Sequence, residues 1–153
     1  MKNIIKILFL SAVVLLQSCV ENDTTFSADA DGVFYGDLTV GDYTERVGIS
    51  VTETSDSTVE VFFDNVKFAR AMPVRIDIIV KDISSWRSAE VLSFSATDID
   101  PYVNKEPDRQ PLYRFAEMEG VVADGRLVLS ARMSDGLKPS LAGKKFSFTG
   151  TCK

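Results

Sequence analysis

Between residues 33 and 151 the chain repeats one pattern eight times: a short run of alternating apolar and polar side chains, closed by turn residues. A two-residue period puts every second side chain on one face of a strand, whereas a helix scatters such a pattern around its circumference. The first run, 33–40, sets Phe34, Gly36, Leu38 and Val40 against Tyr35, Asp37 and Thr39. Runs at 46–54 and 58–63 continue through Val47, Ile49 and Val51, then Val59, Val61 and Phe63, with Thr54-Ser55-Asp56-Ser57 as the hairpin turn between them. Residues 64–72 are less regular, and Pro73 limits any helix there to a turn. The strongest alternation follows at 74–83, and further runs at 90–97, 112–122, 126–133 and 144–151 complete the set, with Asp124-Gly125 as a second hairpin signal.

Eight sequential strands without an amphipathic helix predict an all-β fold, a small eight-stranded antiparallel up-and-down barrel, with a two-sheet sandwich as the alternative. Closure removes the exposed strand edges that an open sheet must otherwise protect. The expected inward set is bulky: Phe34, Leu38, Val40, Val47, Ile49, Val51, Val61, Phe63, Ile76, Ile78, Phe94, Leu127, Leu129, Phe146 and Phe148. A small barrel is just wide enough to be filled by such side chains or to hold one small ligand, and this set favours filling. The outward positions carry Arg75, Asp77, Lys81, Glu117 and Glu119 where lipid would require apolar groups, which argues against an outer-membrane barrel.

Ahead of the strands lies a different kind of sequence. Lys2 and Lys6 precede an apolar run over residues 7–16, too short to span a bilayer, and Leu16-Gln17-Ser18-Cys19 then resembles a bacterial lipoprotein processing site. Residues 1–18 are expected to be a cleaved lipoprotein signal peptide, with an ordinary signal peptide and an incidental cysteine as the alternative. Cys19 is the expected lipidation site and residues 19–31 a flexible polar tether, leaving 32–153 as the barrel domain. This places the protein in the cell envelope, on the outer membrane, facing the periplasm or the surface, with the membrane as a partner through the anchor. Cys152 is then left without a partner and reads as an incidental thiol.

Composition excludes several function classes. Without residues 1–18 the chain holds fifteen basic and twenty-two acidic residues, a formal charge of −7 with the basic residues scattered singly, so nucleic acid is not an expected partner. Histidine is absent, which removes the usual general base near neutral pH and the commonest metal ligand. The acidic loop at 98–111 offers oxygen ligands without the spacing or the turn glycine of a calcium loop, so no metal or other cofactor is expected. Glu117 and Glu119 share one face of a strand about 6–7 Å apart, near the separation of an inverting glycosidase pair. Their alternation with Met118 reads instead as the watery face of a strand, and no enzyme is expected.

Several blocks together resemble a known family. Phe34-Tyr35-Gly36-Asp37-Leu38-Thr39-Val40, the stretch 59–68 with Met72-Pro73-Val74, Asp124-Gly125-Arg126-Leu127 and the closing Phe146-Ser147-Phe148-Thr149-Gly150 are similar to the calycin-like β-barrel domain of bacterial lipoproteins. The resemblance covers roughly 32–151 and implies kinship of shape with lipocalins, which hold apolar ligands in an eight-stranded cup. One departure is that lipocalins carry a Gly-x-Trp near the first strand, whereas the one tryptophan here is Trp86, in mid-chain.

Two functions follow as expectations. In the first, the barrel binds a small apolar or amphipathic ligand through Phe68, Met72, Trp86 and Tyr102, with the long loop at 98–111 as a lid. In the second, the barrel is a filled scaffold, Phe68 and Met72 plug one end, and the loops engage another envelope protein or a glycan.

Overall fold

A computed structural model describes residues 32–152. Nine strands follow in chain order: β1 (Val33–Val40), β2 (Tyr43–Ser55), β3 (Thr58–Val66), β4 (Ile76–Ser88), β5 (Val91–Ile99), β6 (Tyr102–Val103), β7 (Phe115–Ala123), β8 (Arg126–Met133) and β9 (Lys145–Cys152), with one 3-10 turn at Pro111–Tyr113. All pairings are antiparallel, and β3 pairs with β4 while β1 pairs with β9, so eight strands close on themselves as an up-and-down barrel and β6 is added to the wall. The barrel expectation therefore holds and the sandwich alternative does not. The signal segment, Cys19 and the tether lie outside the described residues.

Turn chemistry sets the register. Asp124 and Gly125 both take positive φ, the conformation of a two-residue hairpin whose twist matches its strands, and Ala123 pairs directly with Arg126. Four register shifts add a residue to one strand: at 53–55 in β2, 63–66 in β3, opposite 59–61 in β4, and 115–117 in β7. Each such bulge reverses the inside–outside parity along its strand and sharpens the local bend. This explains where alternation misleads. In β4, Val80 and Ile83 are both buried on either side of Lys81 and Asp82, so the strand runs on to Ser88 rather than ending at 83. In β7, Phe115 and Met118 are both buried around Ala116, and the expected first residues, 112–114, belong to the 3-10 turn and its end.

The interior is lined by one cluster of buried apolar side chains that runs through every strand, with Val103 from the short β6 edge. All fifteen expected inward residues are buried, joined by Val59, Val66, Val80, Ile83, Leu92, Phe115, Met118 and Met133. One end is closed by the β3–β4 connection, which turns Phe68 inward among Phe63, Phe115 and Phe146, with ring centroids 6.1, 6.4 and 5.1 Å away. Towards the other end, large rings lie over glycines, Phe94 over its cross-strand partner Gly120 and Phe148 over Gly150 of its own strand. A Cβ built on Gly120 would overlap the Phe94 ring, and one on Gly150 the Phe148 ring. Pairing large with small side chains is how a narrow barrel fills its taper.

The plug is tied down from outside. Glu45 of β2, its side chain only 8% exposed, accepts from the Lys67 backbone N–H at 2.9 Å and from the Tyr43 hydroxyl at 2.9 Å, and pairs with Arg75 at 2.6 Å. Both ends of the connection that carries Phe68 are thus fixed to one carboxylate.

The loop at 98–111 is not a structureless lid. Only the last five residues of β4, 84–88, pair with β5, and the backbone of its first half is covered by β6, through Ile78 opposite Val103 and Ile79 opposite Tyr102. Asn104 extends the ladder, donating its N–H to the Asp77 carbonyl and accepting the Asp77 N–H on its side-chain oxygen, each at 3.0 Å. Cys152, at the end of β9, is disulfide-bonded, which corrects the expectation of an incidental thiol.

Candidate functional site

The four residues singled out from sequence do not line one cavity. Phe68 is wholly buried, and Met72 packs behind it, its sulfur 3.1 Å from the Phe68 backbone nitrogen. Tyr102 faces outward on β6, where Lys81 and Arg109 lie over its ring at 5.2 and 5.4 Å, so two cations of the same chain already contact the ring. Trp86 also faces outward and is 53% exposed, because the β4 bulge reverses the parity ahead of it.

Around Tyr102 the charges serve the wall. Arg109 bonds Asp82 at 2.9 Å, and Arg114 holds Asp100 by a two-pronged contact at 2.7 and 3.0 Å. That hydrogen-bonded guanidinium keeps the Asp100 carboxyl below the usual aspartate range. Nearby, burial and then the Asp77 charge push Asp64 up.

A concavity of about 580 Å³ lies on the outer wall, across β5, β7, β8, β9 and the β1–β2 turn. It follows from two cross-strand rows. In the first, register aligns Ser95, Glu119, Ser130, Ser147 and Thr39, mostly short hydroxyl side chains. In the second, two residues further along each strand, Thr97, Glu117, Arg132 and Lys145 stand next to one another. Short side chains beside long ones make a trough, and the bulge at 115–117 bends the wall beside it.

Within the trough the polar groups are already arranged. The Ser130 hydroxyl donates to Glu119 at 3.2 Å, and Arg132 donates to Glu117 at 3.1 Å while reaching Asp135 at 3.5 Å. The exposed carboxylates can accept, Lys145 and Arg132 can donate, and each hydroxyl can do both. The trough thus brings donors and acceptors together on one concave face. Among the described residues no group of histidine, cysteine, aspartate or glutamate side chains is placed to hold a metal ion.

Sequence reasoning placed Glu117 and Glu119 together on a watery face, as found. It missed Ser95, Ser130, Arg132, Lys145 and Ser147, because they come together only through register between strands far apart in the chain.

No family model matches the sequence, and no curated protein does. A crystal structure from Bacteroides fragilis, of a protein described as an outer membrane protein, is similar in fold, with a TM-score of 0.52 at 17% sequence identity. The likeness covers 78% of this chain and 50% of that one, so this chain spans about half the length of the solved structure it resembles.

Proposed function

We propose that this chain is a cell-envelope lipoprotein, anchored through Cys19, whose calycin-like barrel is a filled, non-catalytic scaffold that presents its outer-wall trough to a glycan. The observation that carries this reading is the contrast between inside and outside. The interior is closed by packed rings and, among the described residues, Ser85 is its one buried polar residue, whereas the concave polar surface is on the outer wall. Ligand cavities need room and a few convergent polar groups, and the trough supplies both. The many buried aromatic and aliphatic side chains inside the barrel weigh towards this reading and away from an apolar ligand in a cup.

The envelope placement draws on the lipoprotein-like processing sequence at 16–19 and on the description of the Bacteroides fragilis neighbour. A spanning barrel fits poorly, since Glu60, Lys81, Glu117, Arg132 and Lys145 interrupt the outer wall. Anchoring by acyl chains suits such a wall, because each buried methylene contributes about 0.8 kcal/mol and two or three chains hold firmly. Cys19→Ala should release the protein from membranes, and its persistence there would end the lipoprotein reading. A sulfur in a thioether cannot also hold a disulfide, so on this reading the bond at Cys152 belongs to the unprocessed chain and is given up when Cys19 is lipidated. The intact mass of the mature protein, with and without reductant, therefore decides between lipidation of Cys19 and a bond from it to Cys152.

A glycan array of bacterial envelope polysaccharides, probed with the wild-type protein and with Ser147→Trp, tests the trough. Ser147 is exposed on β9, so the indole fills the trough without touching the core. Binding that the variant loses supports the reading. Binding that the variant keeps would move the site elsewhere, and a small apolar molecule released only on denaturation in native mass spectrometry would restore the ligand-cup alternative.

A further inference from the structure

We infer that the barrel wall beside the chain's entry point is a membrane-contacting surface, with Trp86 seated at the level of the lipid headgroups; this rests on the Cys19 anchor proposed above. Strand directions give the barrel two unlike ends. The start of β1, the β2–β3, β4–β5 and β7–β8 turns and Cys152 lie at one end, and the β3–β4 plug and residues 98–114 at the other. The chain preceding Gly32 therefore enters at the first end.

On the wall next to that end, register places Trp86, Ser93, Val121 and Val128 side by side in one row, facing outward, and Val91 lies one step nearer the end. Trp86 is 53%, Val128 47%, Val121 42% and Val91 36% exposed. These are four of the six large hydrophobic residues that the described chain leaves exposed, and the other two, Val74 and Leu112, sit towards the opposite end. Single exposed valines need no explanation, but a contiguous group around a tryptophan does. Indole prefers the boundary between headgroups and acyl chains, where its apolar body and polar N–H are both satisfied.

Tether length selects the bilayer as occupant. Twelve residues, 20–31, separate Cys19 from Gly32. Twelve residues reach at most about 40 Å when fully extended. An anchored barrel is thus held within about its own length of the bilayer with the Trp86 end leading, and docking the apolar row costs little further entropy.

Trp86 is the chain's one tryptophan, so its emission reports this surface alone. The mature lipidated protein is reconstituted into phosphatidylcholine vesicles with and without brominated acyl chains, then floated on a density gradient. The expected result is flotation with blue-shifted emission quenched by the brominated lipid, and relief of quenching with flotation unchanged in the Val121→Asp, Val128→Asp double variant. Both positions are exposed, so a far-UV spectrum equal to wild type shows that the variant folds. Flotation with unquenched emission would overturn the inference and leave the anchor intact. Failure to float would overturn the anchor and the inference with it. Blue-shifted emission from Cys19→Ala protein in solution without vesicles would also overturn it, by showing the surface covered by a second copy when the shift depends on concentration, or by the chain's own leading segment when it does not.

Discussion

Removing the plug is the sharpest test of a filled barrel. Phe68 is wholly buried and touches three other rings, the nearest centroid 5.1 Å away. Truncating a buried phenylalanine to alanine costs about 3–5 kcal/mol, the spread reflecting how far the surroundings collapse into the space. Collapse is restricted here, because Glu45 pins the connection at Lys67 and Arg75 on either side of Phe68. The loss expected for Phe68→Ala is therefore in the upper half of that range, about 4 kcal/mol. A domain of this size has a total stability of about 5–15 kcal/mol, so the variant should still fold but with a large share of its margin gone. In urea, with a slope of about 1.5–2 kcal/mol per molar, the midpoint should fall by about 2–3 M. Circular dichroism is the suitable probe, since Trp86 is exposed and a poor reporter of the core. Phe68→Leu, which keeps most of the volume, should lose no more than about 1.5 kcal/mol. The apolar cavity left by alanine should stay dry and admit benzene. A loss below about 1 kcal/mol with unchanged slope would refute the reasoning, because it would mean that Phe68 covers an open cup rather than filling a closed one.

Three further outcomes follow from the packing and the charges. Gly120→Ala, whose new methyl overlaps the Phe94 ring, should cost about 1–3 kcal/mol in urea unfolding, and combining it with Phe94→Leu should recover part of the loss. Ala89, at φ 53° in the β4–β5 turn, holds a backbone conformation that glycine adopts freely, so Ala89→Gly should raise the melting temperature, by about 0.5–1 kcal/mol of stability. The hydrogen-bonded guanidinium of Arg114 lowers the folded Asp100 pKa from the ordinary 3.8, so this pair's contribution is present above that value and lost as the pH falls through the lower folded one. Asp100→Asn should therefore destabilise the protein at pH 6 and flatten the stability profile below pH 4, and an unchanged acid limb would count against the pair.

What could be read directly from the residues depended on whether the two-residue period ran unbroken. Strands β1 and β8 match their expected bounds because their alternation is uninterrupted and their ends carry glycine or Asp-Gly turns. Strand β4 was expected over 74–83 and is observed over Ile76–Ser88, since the bulge at Lys81 and Asp82 breaks the period where the strand had been expected to end. That slip also hid the direction of Trp86. Parity counted from Ile76 and Ile78 would turn its side chain inward, and the extra residue turns it out. Phe68 was legible as a plug because an aromatic residue just before a proline-limited turn has nowhere else to bury its ring. The trough was not legible, since no linear motif links Ser95 to Ser147, and neighbouring them requires the register of β5 with β7, β7 with β8 and β8 with β9.

The stitching of residues 98–111 into the wall bears on where a partner can be recognised. A mobile loop could close over a ligand at the barrel mouth, and that was the natural expectation for a long connection between strands. Here Val103 and Asn104 continue the sheet along β4, Arg109 and Lys81 enclose Tyr102, and the Arg114 contact fixes Asp100. Opening this segment would expose the backbone of Asp77, Ile78 and Ile79 together, each hydrogen bond exchanged for one to water at a net cost of about 0.5–1.5 kcal/mol. The Phe68 plug and the stitching of 98–111 to β4 thus hold in place the two connections at this end of the barrel. Among the surfaces fixed by register, the trough over β5, β7, β8 and β9 combines concavity with unburied donors and acceptors. Its hydroxyl row lies only two residues along the strands, about 7 Å, from the apolar row that contains Val121 and Val128. A barrel resting on that apolar row would hold the trough just above the headgroups, at the height where a membrane-borne glycan begins.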